Sequence, residues 1–124
     1  MTKILTGGVA KNEVADVVRA LSLPDVEVTV SSDMDAAVRL RTGQADFYLG
    51  TCHTGAGASL GVLLGLVGSS ACHTFGRSVP TEEQVAALLA DGKKVFGFGM
   101  DQIDRTGPVV ARAIAAHTSS TPTP

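Results

Sequence analysis

Hydrophobic residues along the chain follow two spacings, one typical of strands and one typical of helices. The two spacings alternate along the chain and predict strands that alternate with helices. Apolar residues in short or alternating runs predict five strands, within residues 3–6, 26–30, 45–52, 69–76 and 93–100. Apolar residues at helical spacing follow each of these runs and predict five helices, within residues 13–21, 31–43, 57–68, 79–92 and 108–117. Strands and helices that alternate over one short chain predict an α/β fold with a parallel sheet.

Capping residues and breakers mark the ends of several predicted helices. Asn12 is expected to cap the first helix and Thr81 the fourth, which is expected to end at Gly92. Pro108 suits the first turn of the last helix, so residues 101–107 are predicted to form a loop.

The predicted fold is a doubly wound, flavodoxin-like or Rossmann-like three-layer sandwich with about five parallel strands in the order 2-1-3-4-5. Residues 1–117 are expected to form one α/β domain, and residues 118–124, rich in Ser, Thr and Pro, a disordered tail. Ligands of such sheets bind beyond the carboxyl ends of the strands, where the chain turns into the helices. Candidate site residues are therefore sought in those loops.

Composition and charge exclude some classes of partner. The net charge is −2 and the ten Lys and Arg residues are scattered, so the chain offers no basic surface for nucleic acid. The apolar run near the N-terminus is too short for a secretory signal, which predicts a cytoplasmic protein. Residues 47–76 carry no Asp, Glu, Lys or Arg, but glycines and polar residues interrupt them, so no membrane insertion is expected.

A tripeptide, Cys-His-Thr, occurs twice, at residues 52–54 and 72–74. If the third and fourth strands are neighbours, the two copies fall about 5 Å apart at equivalent strand ends. Cys52 and His73 are then candidates for a catalytic thiolate and imidazole pair. A disulfide, a zinc site and simple burial of both cysteines remain alternatives, although adjacent Cys and His suit zinc poorly and no metal or other cofactor is predicted.

The loop after the third predicted strand has the features of an anion-binding cradle. Glycines allow close approach of the backbone, hydroxyls offer hydrogen bonds, and a helix N-terminus follows directly. Tight packing of the turn is the alternative explanation for such small residues. The candidate ligand-binding residues of this loop are His53, Thr54, Gly55, Ala56, Gly57 and Ser59, and those of neighbouring loops are Gly7, Gly8 and Asp101.

The run Cys52, Thr54, Gly55, Gly57, Ser59 resembles the Cys-Gly-Thr-Gly-x-Gly-x-Ser loop of type B ribose-5-phosphate isomerases and related galactose-6-phosphate isomerases. The resemblance implies that the cysteine moves a proton between adjacent sugar carbons and that the threonine helps to open the ring. The chain departs from that family at His53, where the family has Gly. It also has leucines at positions 63 and 64, where the family has an Asn-Lys pair. Part of the isomerase machinery is therefore missing, and enzymatic activity stays open.

Over its whole length the chain is similar to the YhfU-like family of uncharacterised bacterial proteins, which shares the segments "GTCHTGAGASLGVLLGL" and "FGFGMDQID". This resemblance implies a small metabolite or a partner subunit, with a membrane protein among the partners. The helix predicted at residues 57–68 has no polar face, so a second subunit is expected to cover it in a homo-oligomer. Two hypotheses follow: a protein that binds a small anionic metabolite, such as a phosphosugar or carboxylate, and a non-catalytic partner subunit.

Overall fold

The computed structural model describes residues 1–53 and 60–120 of the chain. Its strands are β1 (Thr2–Gly8), β2 (Val26–Val30), β3 (Phe47–Cys52), β4 (Cys72–Thr74) and β5 (Val95–Gly99). Its helices are α1 (Lys11–Ala20), α2 (Asp33–Arg41), α3 (Gly61–Leu66), α4 (Glu82–Ala90) and α5 (Ile103–Ser120). Short 3₁₀ turns precede β4, at Ser69–Ala71, and α5, at Met100–Gln102. The predicted alternation of strands and helices is confirmed.

The five strands form one parallel sheet in the order β2-β1-β3-β5-β4. The predicted order 2-1-3-4-5 is wrong, because β5 lies between β3 and β4. The residues of β4 and β5 explain why β5 is central and β4 lies at the edge. Phe96 and Phe98 of β5 are buried and require a covered, central strand, whereas β4 has three residues with a half-buried His73 and an exposed Thr74, which suit an edge.

Helices cover both faces of the sheet. One face, here called the α5 face, carries α1, α4 and α5, packed on a core that includes Ile4, Leu49 and Phe96. The other, the α2 face, carries α2 and α3, whose core includes Leu5 and Tyr48. Side chains of each strand alternate between the two faces, so the register fixes which residues share a face.

The N-termini of α4 and α1 are capped in different ways. The predicted cap of α4 is confirmed, since Thr81 and Gln84 form a reciprocal capping box. Asn12, by contrast, is not the cap of α1. The cap position is Ala10, whose backbone N–H donates to the Thr51 hydroxyl at 3.0 Å, so a tertiary contact replaces the local cap.

The last helix begins earlier than its local signals predict. Residues 103–107, predicted as loop, form the first turns of α5, and Pro108 lies inside the helix. Ile103 is buried in the core of the α5 face, and this burial outweighs the one backbone hydrogen bond that Pro108 cannot donate. The helix continues to Ser120, into the segment predicted as a tail; residues 121–124 lie outside the described residues.

The glycine-rich region after β3 is described only in part. The helix predicted at residues 57–68 appears as α3, Gly61–Leu66, and residues 54–59 lie outside the described residues. Gly7 and Gly8, predicted to turn after the first strand, instead end β1. Across the described parts of the chain, no helix is both long and apolar enough to cross a membrane.

Candidate functional site

The carboxyl ends of β1 and β3 form the point at which the chain order of the sheet reverses, because β2 lies on one side of this pair and β5 on the other. A backbone hydrogen bond joins the carboxyl ends of β1 and β3. The Val9 N–H donates to the Thr51 carbonyl at 3.1 Å, and Gly8 has φ +88°. A Cβ at Gly8 would collide with that same carbonyl, so only glycine fits. Open α/β sheets bind ligands at such a reversal.

Three glycines stand side by side on the α2 face, one on each central strand. Gly7, Gly50 and Gly97 are in register, and the Tyr48 ring lies over the first two of them. Leu60 lies over Gly50 and Gly97, 2.9 Å from the position of a Cβ at Gly97. The row therefore makes room for two large side chains of the protein itself.

Tyr48 reaches along this row to the first turn of α2. Its hydroxyl donates to the Asp33 carboxylate at 2.6 Å, while the tyrosine is fully buried. Burial, reinforced by the Asp33 carboxylate, raises the pKa of Tyr48 far above its ordinary value, so the phenol stays protonated and remains a donor. This pair fixes the loop after β2 against β3, beneath the carboxyl edge.

A thiol lies near a carboxylate and guanidinium pair at the carboxyl edge on the α2 face. Cys52 ends β3 in register with Gly99 of β5, and the Asp101 carboxylate lies 2.6 Å from where a Cβ of Gly99 would stand. With neighbouring strands about 4.8 Å apart, this carboxylate is within about 8 Å of the Cys52 Cβ. Arg77, from the loop after β4, lies 3.7 Å from Asp101 through its Nε.

The structure brings together some of the predicted site residues and separates others. Cys52 and Asp101 share this corner, and the exposed His53 follows Cys52 directly. At Gly7 and Gly8, protein atoms occupy the space that a side chain would fill. The remaining predicted residues of the cradle lie outside the described residues: Thr54, Gly55, Ala56, Gly57 and Ser59.

The second Cys-His-Thr copy lies elsewhere in the sheet. Because β5 separates β3 from β4, the expectation of neighbouring, equivalent strand ends is wrong. Cys72 begins β4 and is in register with Val95, four residues below the level of Cys52. The two cysteines are roughly 13 Å apart along the strands and about 10 Å across them, too far for a disulfide, and neither is disulfide-bonded.

His73 is on the opposite face of the sheet from Cys52. It is in register with Phe96, whose side chain belongs to the α5 face, and its ring packs edge-on against Phe75 at 4.8 Å. The register places it about 10 Å from Cys52 along the strands and about 10 Å across them. The two residues therefore do not form one acid-base pair in this structure.

Cys72 is buried and forms a hydrogen bond near its own strand. Its thiol donates to the Gly68 carbonyl at 3.3 Å, and burial raises the pKa of this thiol, an effect that nearby Lys93 partly opposes. A thiol whose pKa is raised carries less thiolate at neutral pH and is a poorer nucleophile and metal ligand. Among the described residues no three His, Cys, Asp or Glu side chains are grouped to hold a metal ion.

Charge differs between the two sides of the carboxyl edge. On the α5 side a cavity of about 350 Å³ between α1 and α5 is lined by Glu13, Asp101 and Asp104 together with apolar residues. On the α2 side Asp101 is instead paired with Arg77. An anionic ligand is therefore repelled on the first side and finds a cation on the second.

Sequence reasoning missed Arg77, Tyr48 and Asp33. Each looks ordinary by itself: a charged loop residue, an aromatic in a buried strand and an acid at a helix start. The signal for Tyr48 lies in the glycines at positions 7 and 50, which leave space for a large ring, but only the register shows that they are neighbours.

Comparisons with known proteins agree with the fold. The crystal structure of ribose-5-phosphate isomerase B from Giardia lamblia superimposes with a TM-score of 0.64 and 18% identity, over 98% of this chain and 95% of that chain. Such a likeness shows the fold alone, and it confirms the predicted Rossmann-like parallel α/β class.

The sequence comparisons agree with the resemblance over the whole chain. "Uncharacterized protein YhfU" of Escherichia coli (strain K12) and that of Shigella flexneri are each 30% identical over 112 residues, 89% of this chain and 96% of theirs. The family model described as "Protein of unknown function DUF2620" matches residues 2–114. The chain belongs to this DUF2620 family.

Proposed function

We propose that the protein binds a small anionic metabolite, a phosphosugar or a carboxylate, on the α2 side of the carboxyl edge. The observation that carries this proposal is the meeting of Arg77, Asp101 and Cys52 around Gly99. Arg77 supplies a planar cation that suits phosphate or carboxylate oxygens. Asp101 orients it, and the missing side chain at the buried Gly99 leaves room for the Asp101 carboxylate.

The predicted cradle follows this corner in the sequence. Residues 54–59 follow His53, so their glycines and hydroxyls, with the exposed His53, are the further ligand-binding groups of the proposal. His73 is left out of this site because it faces the α5 side. Two cysteines without a disulfide suit the reducing cytoplasm, in which we place the protein as part of the same proposal.

A proton-transfer role for Cys52 is the second step of the proposal. The neighbour of similar fold is named a ribose-5-phosphate isomerase, and the loop resemblance assigns the proton-moving thiol to Cys52. Leu63, at the position where that family has Asn, is fully buried in the core of the α2 face and offers no polar group to an enediolate. Binding is therefore proposed separately from isomerisation, and the two are tested separately.

Thermal melts test the binding step. Ribose 5-phosphate and citrate are expected to raise the melting temperature, whereas ribose, which lacks the charge, is not; a ligand at about 100 times its Kd adds about 2.7 kcal/mol. Arg77→Gln is expected to abolish the shift. Arg19→Gln is the matched control, since Arg19 is also an exposed arginine near an aspartate, 3.8 Å from Asp16, but at the end of α1.

Two results would contradict the binding proposal. One is an equal shift with ribose and ribose 5-phosphate, because charge would then not matter. The other is loss of the shift in Arg19→Gln as well as in Arg77→Gln, because the effect would then come from net charge and not from the corner.

A partner-subunit function is favoured by a different observation. Three large apolar side chains of α3, Val62, Leu64 and Leu66, are 36–42% exposed, and Met34 and Val38 of the adjoining α2 are 50–58% exposed. We call these five residues the α2–α3 apolar surface. Apolar surfaces of this kind mark interfaces, and we propose a second copy of the chain as the partner in a homo-oligomer.

Light scattering tests the oligomer. The wild-type protein is expected to have at least twice the monomer mass, and Leu64→Lys is expected to return it to 12.7 kDa. Val9→Lys is the control, since Val9 is 52% exposed but lies outside this surface. A monomeric wild type at micromolar concentration would remove the homo-oligomer proposal, and a stable oligomer with no metabolite shift would favour the subunit function over binding.

A further inference from the structure

A groove opens at the edge of the sheet between β4 and α4, apart from the carboxyl-edge corner. Its volume is about 540 Å³, within the range of about 300–1,000 Å³ that is usual for small-molecule pockets. The α4 wall runs from Gln84 through Ala87 and Leu88 to Asp91, at helical spacing, so it is about 10 Å long. The groove can therefore hold one or two fused rings.

The floor of the groove is aromatic. Phe75 packs edge-on against His73 at 4.8 Å and stacks on Phe96 at 5.9 Å, with 4° between the ring planes. Phe96 is fully buried, so it holds the Phe75 ring from behind. Leu88 and Pro80 add aliphatic surface to the same groove. A flat ring can pack against this floor edge-on or with an offset stack.

His73 supplies the polar end of the groove. Burial lowers the pKa of its imidazole, and the positive charge of Lys93 lowers it further. The ring is therefore neutral at pH 7, with one nitrogen as donor and the other as acceptor. Asp91 lies in the lining and opposes an anion, while Lys93 near His73 opposes a cation. The charges on the two sides favour a neutral ligand.

We propose that this groove is a second ligand site, which binds a small uncharged aromatic molecule bearing an N–H or O–H group. The ring packs between Phe75 and Leu88, and the polar hydrogen is donated to the imidazole of His73. This site differs from the carboxyl-edge corner in face, in chemistry and in charge. Its existence does not depend on the anion site.

Titration by ¹H–¹⁵N NMR tests the groove, with indole as the probe. Indole is expected to shift the backbone amides of 73–75 and 87–88 saturably, with a millimolar Kd. 1-Methylindole, which has the same ring but no N–H, is expected to bind at least about fivefold more weakly, because a hydrogen bond is lost. Benzoate is expected to bind more weakly than indole.

Two variants separate the groove from other surfaces. Ala87→Phe fills the groove from an exposed position of α4 and is expected to abolish the shifts. Ala90→Phe makes the same change at an exposed position of the same helix that is not among the groove lining, and it is expected to keep the indole Kd. His73→Leu is expected to make indole and 1-methylindole bind equally.

The proposal is overturned if indole causes no saturable shift at the groove, or if Ala87→Phe binds indole as well as the wild type. Tighter binding of benzoate than of indole would overturn the assignment to uncharged ligands. A spectrum of Ala87→Phe with wild-type dispersion shows that loss of binding is not loss of folding.

Discussion

The two copies of Cys-His-Thr are identical as sequence and unlike as structure. Cys52 ends a central strand at the carboxyl edge, whereas Cys72 begins an edge strand four residues lower in register. His53 is exposed after its strand, and His73 is packed against Phe75. The position of a tripeptide within its strand therefore decides what its side chains can reach.

The difference begins with which end of the strand the tripeptide occupies. In a parallel sheet only the carboxyl end leads into the loops that bind ligands. The first copy lies where β3 ends at those loops, so Cys52 is in register with Gly99, beside which Asp101 and Arg77 lie. In the second copy two more strand residues follow the cysteine before the loop, so Cys72 faces the core and His73 faces a groove.

The largest difference is expected in proton transfer. Cys52→Ala should lower exchange of the C2 proton of ribose 5-phosphate into D₂O by about 10²–10⁴-fold, the usual contribution of a positioned acid or base. Cys72→Ala should leave the rate within about twofold, because Cys72 is roughly 16 Å away. Measurement is by ¹H NMR. Equal losses in both variants would contradict a proton-transfer role specific to Cys52.

A large difference in stability is expected where the first copy meets β1. Gly8→Ala should destabilise the protein by about 2–4 kcal/mol more than Gly43→Ala. Both glycines have positive φ, +88° and +77°, so both variants carry that strain, but only a Cβ at Gly8 meets the Thr51 carbonyl. Urea unfolding measures both. Equal destabilisation would show that β1 can move away from the strand that ends in Cys52.

A smaller difference is expected in the thiol of the second copy. In the Cys52→Ser variant, the rate of alkylation of Cys72 should reach its midpoint at a pH above the ordinary thiol value of 9, because burial raises its pKa. The unfolded chain then loses its proton first, so stability should fall as pH rises above about 9. Lys93→Gln should move the midpoint higher, since Lys93 opposes the shift. A midpoint at or below 9 contradicts the buried environment.

The smallest effect is expected at His73. Its NMR titration midpoint should lie below 6.5, chiefly because of burial, and Lys93→Gln should raise it slightly. The unfolded chain takes up the proton first, so the stability that depends on His73 should be lost as pH falls below about 6.5. His73→Leu removes that part of the pH dependence. A midpoint above 6.5 would mean that His73 has a carboxylate partner.

Local signals predicted much of the fold. The caps of α2 and α4 depend on residues within one turn, and both helices start where polar residues precede apolar ones. The five parallel strands follow from the alternation itself. The start of α5 was missed because Pro108 is a local signal and the burial of Ile103 is a tertiary one.

The candidate site was less predictable, because it depends on which strands are neighbours. Nothing near residues 72–74 shows that a later strand will separate them from β3. The pairing of Tyr48 with Asp33, and of Arg77 with Asp101, joins residues 15 and 24 positions apart. Such pairs are fixed by register and not by composition. The sequence could therefore predict Cys52 and Asp101 as site residues, but not Arg77.

The position of β5 also has a consequence for synthesis of the chain on the ribosome. β4 leaves the ribosome before β5, yet β5 is the only described strand that pairs with it. Until residues 95–99 emerge, β4 has no described strand to pair with, and the side of β3 that pairs with β5 is uncovered. Nascent chains arrested before residue 95 has left the ribosome should therefore expose that side of β3 to chaperones, and chains arrested after residue 120 has left it should not.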